Sequence, residues 1–389
     1  MLKHSTSIYA AGLSTTGSFG IKDLVLKETA AENIAKPKKI SYFNHKNVTK
    51  VSSGFGFSLF ATRKKLYGCG LNNFNQIGNL KGTKSKEQIR TWHIHPKLLE
   101  LPFEGKNIMD ISSGRMHSLV ATDSEVYGLG DNCHGQSGVG VAKGGNKLET
   151  FSKIELPDES GVRKVHCSLD TSFILTKCGN LYSFGLNTDG QVGNGKYGQV
   201  RQLHHVKGDL EGEKIVNIFG STDTLLAINE KGDVFIWGQN EYGQMDLVTS
   251  QMQLNIPKRY PINVGKVVSG GSTGSSCIVC NDKGEVYVWG SQFLGLGPRI
   301  TSTIKPIQID PQIFANTGEK EAYIKSVFAG STSMAARTND KNIFTWGSNR
   351  YGELGLGKKD PQNFPFPVFL PKEVKALDLG YDHSLFLTY

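Results

Sequence analysis

Short, mostly apolar runs, each closed by a glycine, recur along the whole chain. They read IYAAG ending at Gly12, LYGCG at Gly70, VYGLG at Gly130, LYSFG at Gly185, VFIWG at Gly238, VYVWG at Gly290 and IFTWG at Gly347. The glycines are spaced 58, 60, 55, 53, 52 and 57 residues apart. Short apolar runs bounded by turn signals read as β-strands. Several copies continue into an Asn and a Gly-rich turn, as in LNNFNQIG, DNCHGQSG, LNTDGQVG, QNEYGQM and SNRYGELGLG.

A second motif precedes each of these strands from the second copy on: VSSGFGFSLFAT, ISSGRMHSLVAT, VHCSLDTSFILT, IFGSTDTLLAIN, VSGGSTGSSCIVC, VFAGSTSMAART and LDLGYDHSLFLT. It predicts a strand, a tight Gly/Ser loop and a second strand. Turns such as NEKGD and NDKGE then join it to the glycine-ended strand as a hairpin. Each unit is therefore an antiparallel meander of about four strands, the pattern of a propeller blade. No unit sustains a 3.6-residue apolar period, which excludes a helical solenoid.

The ends of the chain predict a closed ring. The chain opens on the first motif, Ile8 to Gly12, without the partner strands before it. It closes on the second, GYDHSLFLTY, without the partner strand after it. Joining the halves completes a seventh blade and removes two open sheet edges. The expected fold is all-β: one seven-bladed β-propeller domain over residues 1–389, with loop insertions at 79–108 and 139–163. Trp237, Trp289 and Trp346 precede the glycine in three successive units and are expected to fill the wedges between blades. Trp92 falls outside the repeat, in the first insertion.

Composition adds two constraints. Gly is abundant at 46 residues and Pro is 13, which fits many tight turns rather than a disordered tract. The formal net charge is +9, and a basic surface favours acidic partners such as RNA, an anionic membrane face or an acidic protein. No apolar run approaches 18 residues, so no transmembrane helix is expected. The six cysteines show no framework spacing. Cys277 and Cys280 form a C-x-x-C, but residues three apart on a strand face opposite ways, so no shared metal is expected. The opening MLKHSTS is basic, hydroxyl-rich and free of acid, as mitochondrial presequences open, and is too short to be one.

The combination of V-Y-x-W-G, N-x-x-G-Q-x-G and S-x-G-x-x-H-S-L resembles the repeat of the regulator-of-chromosome-condensation family, over essentially the whole chain. GDLEGEKIVNIFG (208–220), LNIPKRYPINVGKV (254–267), VYVWGSQFLGLGP (286–298) and NRYGELGLGKKDPQNFPFPV (349–368) are most similar to its mitochondrial exchange-factor-like branch. That resemblance implies guanine-nucleotide exchange on a mitochondrial dynamin-related GTPase in mitochondrial fusion. It implies as the alternative a scaffold in a protein–RNA module, with ribosomal RNA and RNA-modification factors as partners. It also implies a location in the mitochondrial matrix or peripherally at the inner membrane. A plain interaction propeller with neither activity is the third reading.

No enzyme chemistry and no cofactor are expected. There is no P-loop, no H-E-x-x-H and no G-x-S-x-G. GQSGVGVAKGG (135–145) has Lys143 where the last glycine of G-x-G-x-x-G would fall, and reads as a loop. An exchange factor needs no catalytic residue. It binds the nucleotide-free GTPase better than the loaded one, and linkage weakens the nucleotide. Acidic groups suit that task, because they compete for the partner's phosphate-binding Lys or its magnesium.

In the family's exchange members, Asp and His of the G-x-x-H loops contribute to the GTPase-binding face. Matched by position, the residue before the His is Asp170, Asp223 and Asp382 here. The His position holds His117 and His383, and Arg115 lies in the same loop as His117. The other five loops carry Phe57, Thr171, Thr224, Ser276 and Ser333 at that position, a departure from the motif. The alternative role for the histidines is bonding to loop backbone, and for the aspartates capping of turns. A second candidate surface, for RNA, is Lys81, Lys84, Lys86 and Arg90 with Trp92, where cations beside an aromatic hold phosphates and stack a base. Residues 36–50, with Lys36, Lys38, Lys39, Lys46 and Lys50, carry a similar basic signal. A basic face on the folded ring would favour RNA. An acidic cluster around the tunnel would favour a GTPase.

Overall fold

The computed structural model describes residues 6–26, 33–78, 91–140, 146–315 and 322–389. Its strands form seven four-stranded sheets. Blade 1 consists of Lys50–Ser53, Phe57–Ala61, Leu66–Leu71 and Trp92–Leu98, from the hub outward. Blades 2 to 6 repeat that order with inner strands Asp110–Ser113, Val162–Ser168, Ile215–Phe219, Val267–Ser272 and Ile324–Ala329. Blade 7 takes its two inner strands, Val374–Leu379 and His383–Thr388, from the end of the chain. Its third and outer strands, Ser7–Leu13 and Asn33–Lys39, come from the beginning. The pairing runs from Ser7 opposite Thr388 to Gly12 opposite His383. The ring closure read from the two half-hairpins is therefore the observed one.

Each blade packs on both faces, which is why the second strands are buried without interruption. HSLVA, TSFILT and TLLAIN are buried at every position. The tryptophans do fill the wedges. Trp237 packs on Phe173 and Leu175 of blade 3, and its indole donates to the Gln191 carbonyl at 2.8 Å. Trp289 stacks on Tyr260 at 5.4 Å and donates to the Gln244 carbonyl at 2.9 Å. Cys277 and Cys280 enter the cores on opposite sides of blade 5, as strand geometry requires.

The outer strands explain two misreadings. The stretches 79–108 and 139–163 are not only loops. They contain the outer strands Trp92–Leu98 and Lys147–Ile154. Trp92 therefore belongs to the repeat, at the start of an edge strand. Pro37, Pro96, Pro257, Pro306 and Pro365 interrupt the alternation of five outer strands. An edge strand tolerates a residue that donates no ladder hydrogen bond, and proline there blocks pairing with another chain.

Bonds between neighbouring inner strands tie the hub at several junctions. The Ser113 and Cys167 amides donate to Ser52 Oγ (2.9 Å) and Ser112 Oγ (2.8 Å) of the preceding blades. The Val327 amide donates to Ser269 Oγ at 3.1 Å. Across the closure, the Ser53 amide donates to the Asp378 carboxylate at 2.6 Å.

Candidate partner-binding face

All seven loops between the first and second strands lie at one end of the hub, and the motif glycine fixes their shape. Gly238 has φ of +98°, and a Cβ there would lie 1.9 Å from the Asp223 carbonyl oxygen. That carbonyl accepts the Gln239 amide at 2.9 Å. The Asp170 and Asp382 carbonyls play the same part opposite Gly185 and Gly12, accepting from Leu186 (3.0 Å) and Leu13 (2.8 Å). Backbone packing against the glycine thus sets where each loop aspartate starts, and the environment decides what its carboxylate meets.

Two of the three aspartates, expected as surface carboxylates, are buried. Asp382 is 1% exposed, and its Oδ1 accepts from His383 Nδ1 at 2.6 Å. The opposite edge of that ring, Nε2, accepts from Ser58 Oγ of blade 1 at 2.7 Å. The pair is a bolt across the closing seam. Asp170 is 2% exposed and ion-paired with Arg115 of blade 2. Burial raises its carboxyl, and Arg115 opposes the rise. The exposed half of this pair is Arg115, whose side chain is 49% accessible.

His117 is buried too. Ser172 Oγ donates to the Gln136 carbonyl, so His117 Nε2 donates to Ser172 Oγ, both at 2.7 Å. Burial pulls this imidazole down to about 4, and it stays neutral. Neither histidine bonds to loop backbone as the sequence suggested. Both span to a serine of the next blade, at the position where S-L follows the His in the motif. Neither they nor Asp170 and Asp382 are placed to touch a partner.

Asp223 differs. It is partly exposed, its Oδ1 accepts from Gln191 Nε2 at 2.8 Å, and it forms no ion pair among the described residues. Burial and the neighbouring Asp189 raise its carboxyl to about 7. Asp189, part-exposed on the turn of blade 3, was missed because it lies in the N-x-x-G-Q turn rather than the G-x-x-H loop. Glu353, which replaces the turn glutamine in blade 6, is also raised, by burial and then by Asp382. The loop end thus carries a carboxylate group of Asp170, Asp189, Asp223, Glu353 and Asp382.

Tyr381 closes the tunnel at this end. It reaches from blade 7 to accept the Leu169 amide of blade 3 at 2.9 Å, and it donates to the Ser221 carbonyl of blade 4 at 3.2 Å. Of the second candidate surface, Lys81, Lys84, Lys86 and Arg90 lie outside the described residues, as does Lys143. Trp92 is 40% exposed on the rim of blade 1. Among the described residues no cluster of His, Cys, Asp and Glu has metal-binding geometry, and no helix is long and apolar enough to cross a membrane.

The repeat described as "Regulator of chromosome condensation (RCC1) repeat" matches residues 65–121 and 340–387, and a second form of it matches 324–353. The chain is 33% identical to the mouse RCC1-like G exchanging factor-like protein, over 98% of this chain and 87% of that one. It is similar to the crystal structure of human WBSCR16 at 30% identity, with TM-score 0.92, over 98% of this chain and 100% of the other. Prp20p from Saccharomyces cerevisiae, described with its binding to Gsp1p and histones, shares the fold at TM-score 0.78 and 16% identity.

Proposed function

This chain belongs to the regulator-of-chromosome-condensation repeat family, and from that premise we propose that it is a guanine-nucleotide exchange factor that contacts its GTPase through the loop end of the hub. The observation that carries the reading is Asp223. A carboxyl held near neutrality by burial and by Asp189 costs the fold stability at physiological pH. A partner cation, whether a phosphate-loop Lys or a magnesium ion, removes that cost on docking. Binding energy is then directed at the site that holds nucleotide in the partner. Arg115, exposed beside Asp170, supplies a donor for an acidic group on the same partner. The propeller itself does no bond-making chemistry in this scheme.

The partner we propose is a mitochondrial dynamin-related GTPase at the inner membrane, with a role in mitochondrial fusion and a location in the matrix or peripherally on that membrane. The rival is a scaffold that holds ribosomal RNA and its modification factors, resting on the basic stretch that ends in Arg90 and on exposed Trp92. An affinity pull-down from mitochondria, with and without ribonuclease, separates the two. The exchange reading expects a GTPase retained after ribonuclease treatment. Loss of every partner on that treatment sinks it. For location, this chain fused to a fluorescent reporter behind a mitochondrial presequence is expected to be retained there. Accumulation of the unfused chain in the nucleus would contradict the assignment.

A further inference from the structure

We propose that the end of the hub opposite the loop face is a binding site for a small, multiply charged phosphate anion. Below Tyr381 the tunnel opens into a cavity of about 490 Å³ lined by the inner strands of all seven blades. That is the size range of small-molecule sites. Tyr381 bridges blades 7, 3 and 4 at the far end.

The lining is charged, and its charges are not balanced. Its two acids are already engaged. Asp110 pairs with Lys50 at 3.0 Å and accepts the Val165 amide at 3.2 Å. Asp378 accepts from the Ser53 amide and hydroxyl at 2.6 and 2.7 Å. Four cations remain with no ion pair among the described residues: Lys164, Lys325, Lys375 and Arg337.

Lys164 is the most informative of them. Its Nζ donates to two neutral acceptors, Asn217 Oδ1 and the Ile218 carbonyl, both at 2.7 Å, and lies 5.0 Å from the Phe219 ring centre. An ammonium has three donors, so one is left over. Burial lowers this amine to about 8, against the opposing pull of Asp110 and Asp378, neither of which forms an ion pair with it.

Arg337 departs from the repeat. Strand register places it level with Ala61, Ala121, Leu175, Ile228, Cys280 and Leu387, apolar in every other blade. Its Nη1 donates to the Lys375 carbonyl, while its buried Nε has no partner among the described residues. A guanidinium fork and three ammonium groups around one cavity match the oxygens of a compact polyphosphate, which offers several acceptors at high charge density.

The test titrates the whole protein with inorganic tripolyphosphate by calorimetry, at low and at raised salt. The wild type is expected to bind, more weakly as salt rises. Arg337→Leu, which restores the residue type of the other blades, and the pair Lys325→Ala/Lys375→Ala are each expected to weaken binding roughly tenfold or more. The melting temperature of the ligand-free variants should not fall. If Arg337→Leu proves unfolded, the pair of exposed Lys325 and half-buried Lys375 decides alone. No heat of binding to wild type at millimolar tripolyphosphate overturns the proposal. So does wild-type affinity in the folded variants, or tight binding of a single-stranded RNA that tripolyphosphate does not displace. None of these results bears on the loop face, so failure here leaves the exchange reading standing.

Discussion

The two ends of the hub are built from the same seven inner strands and carry opposite charge. The loop end is closed by Tyr381 and surrounded by Asp170, Asp189, Asp223, Glu353 and Asp382, with Arg115 as the neighbouring guanidinium. The opposite end is open and holds four cations without acidic partners beside two acids already bonded. The repeat supplies a frame that is indifferent to which charges it carries. Several blades contribute residues to each end, so substitutions in separate repeats assemble a local field. A propeller can thus present two unlike recognition surfaces on one rigid body.

Both ends depend on the closed ring, and the largest expected effect comes from opening it. Deleting the first twelve residues removes most of the third strand of blade 7 and the partner of His383–Thr388 along its outer side. Ile8 and Ala10 leave one inter-blade core, Tyr9 and Ala11 the other. The truncated chain is expected to lose cooperative folding, read by thermal melting. An unchanged melting temperature would show that neither end needs the closure.

Next in size is the bolt at the seam. His383→Ala leaves Ser58 Oγ and the Asp382 carboxylate without their partner in a buried site. A loss of about 2–4 kcal/mol is expected in chemical denaturation. Replacing Asp382 by Ala strands the His383 ring and should cost about 1–3 kcal/mol. Alanine at that position therefore confounds binding with folding, and a loss of exchange by it says little about contact.

Asp223→Asn sharpens the contrast, because it should act in the other direction. With its carboxyl raised to about 7 in the fold and near 3.9 in the unfolded chain, Asp223 takes up a proton on folding. Its contribution to stability is complete below about pH 4 and is lost as pH rises through 7. Asparagine keeps an acceptor for Gln191 and carries no charge. The variant is expected to be more stable than wild type at pH 8, on the order of 1–2 kcal/mol after allowance for its partial exposure. The gain should vanish near pH 4. A variant less stable at pH 8 would mean that the loop end is not under electrostatic strain.

The smallest effect belongs to the open end. Lys325→Ala and Lys375→Ala are expected to leave ligand-free stability within roughly 0.5 kcal/mol, since neither side chain holds an ion pair among the described residues.

Much of this architecture was legible in the sequence. Alternating strands, motif glycines and complementary ends gave seven blades and the closure, because those features obey local backbone rules. The outer strands were harder, since proline breaks the period there. The site was less legible. Asp170 and Asp382 read as loop carboxylates, yet both are buried, and Asp170 is held by Arg115 of the neighbouring blade, a contact between repeats that one repeat does not record. The basic end went unnoticed for the same reason. Stacking the second motifs by register exposes it: Arg337 stands alone in an apolar column, and Lys164, Lys325 and Lys375 open the inner strands.

The central claim is that Asp223 faces the nucleotide site of a GTPase. GDP release from the candidate GTPase, measured with wild-type protein and with Asp223→Asn at pH 7.5 under matched folding, tests it most directly. The account predicts that wild type accelerates release and that the variant, no less stable, does so about tenfold or more slowly. Release as fast with the variant as with wild type, or no acceleration by either, would contradict it.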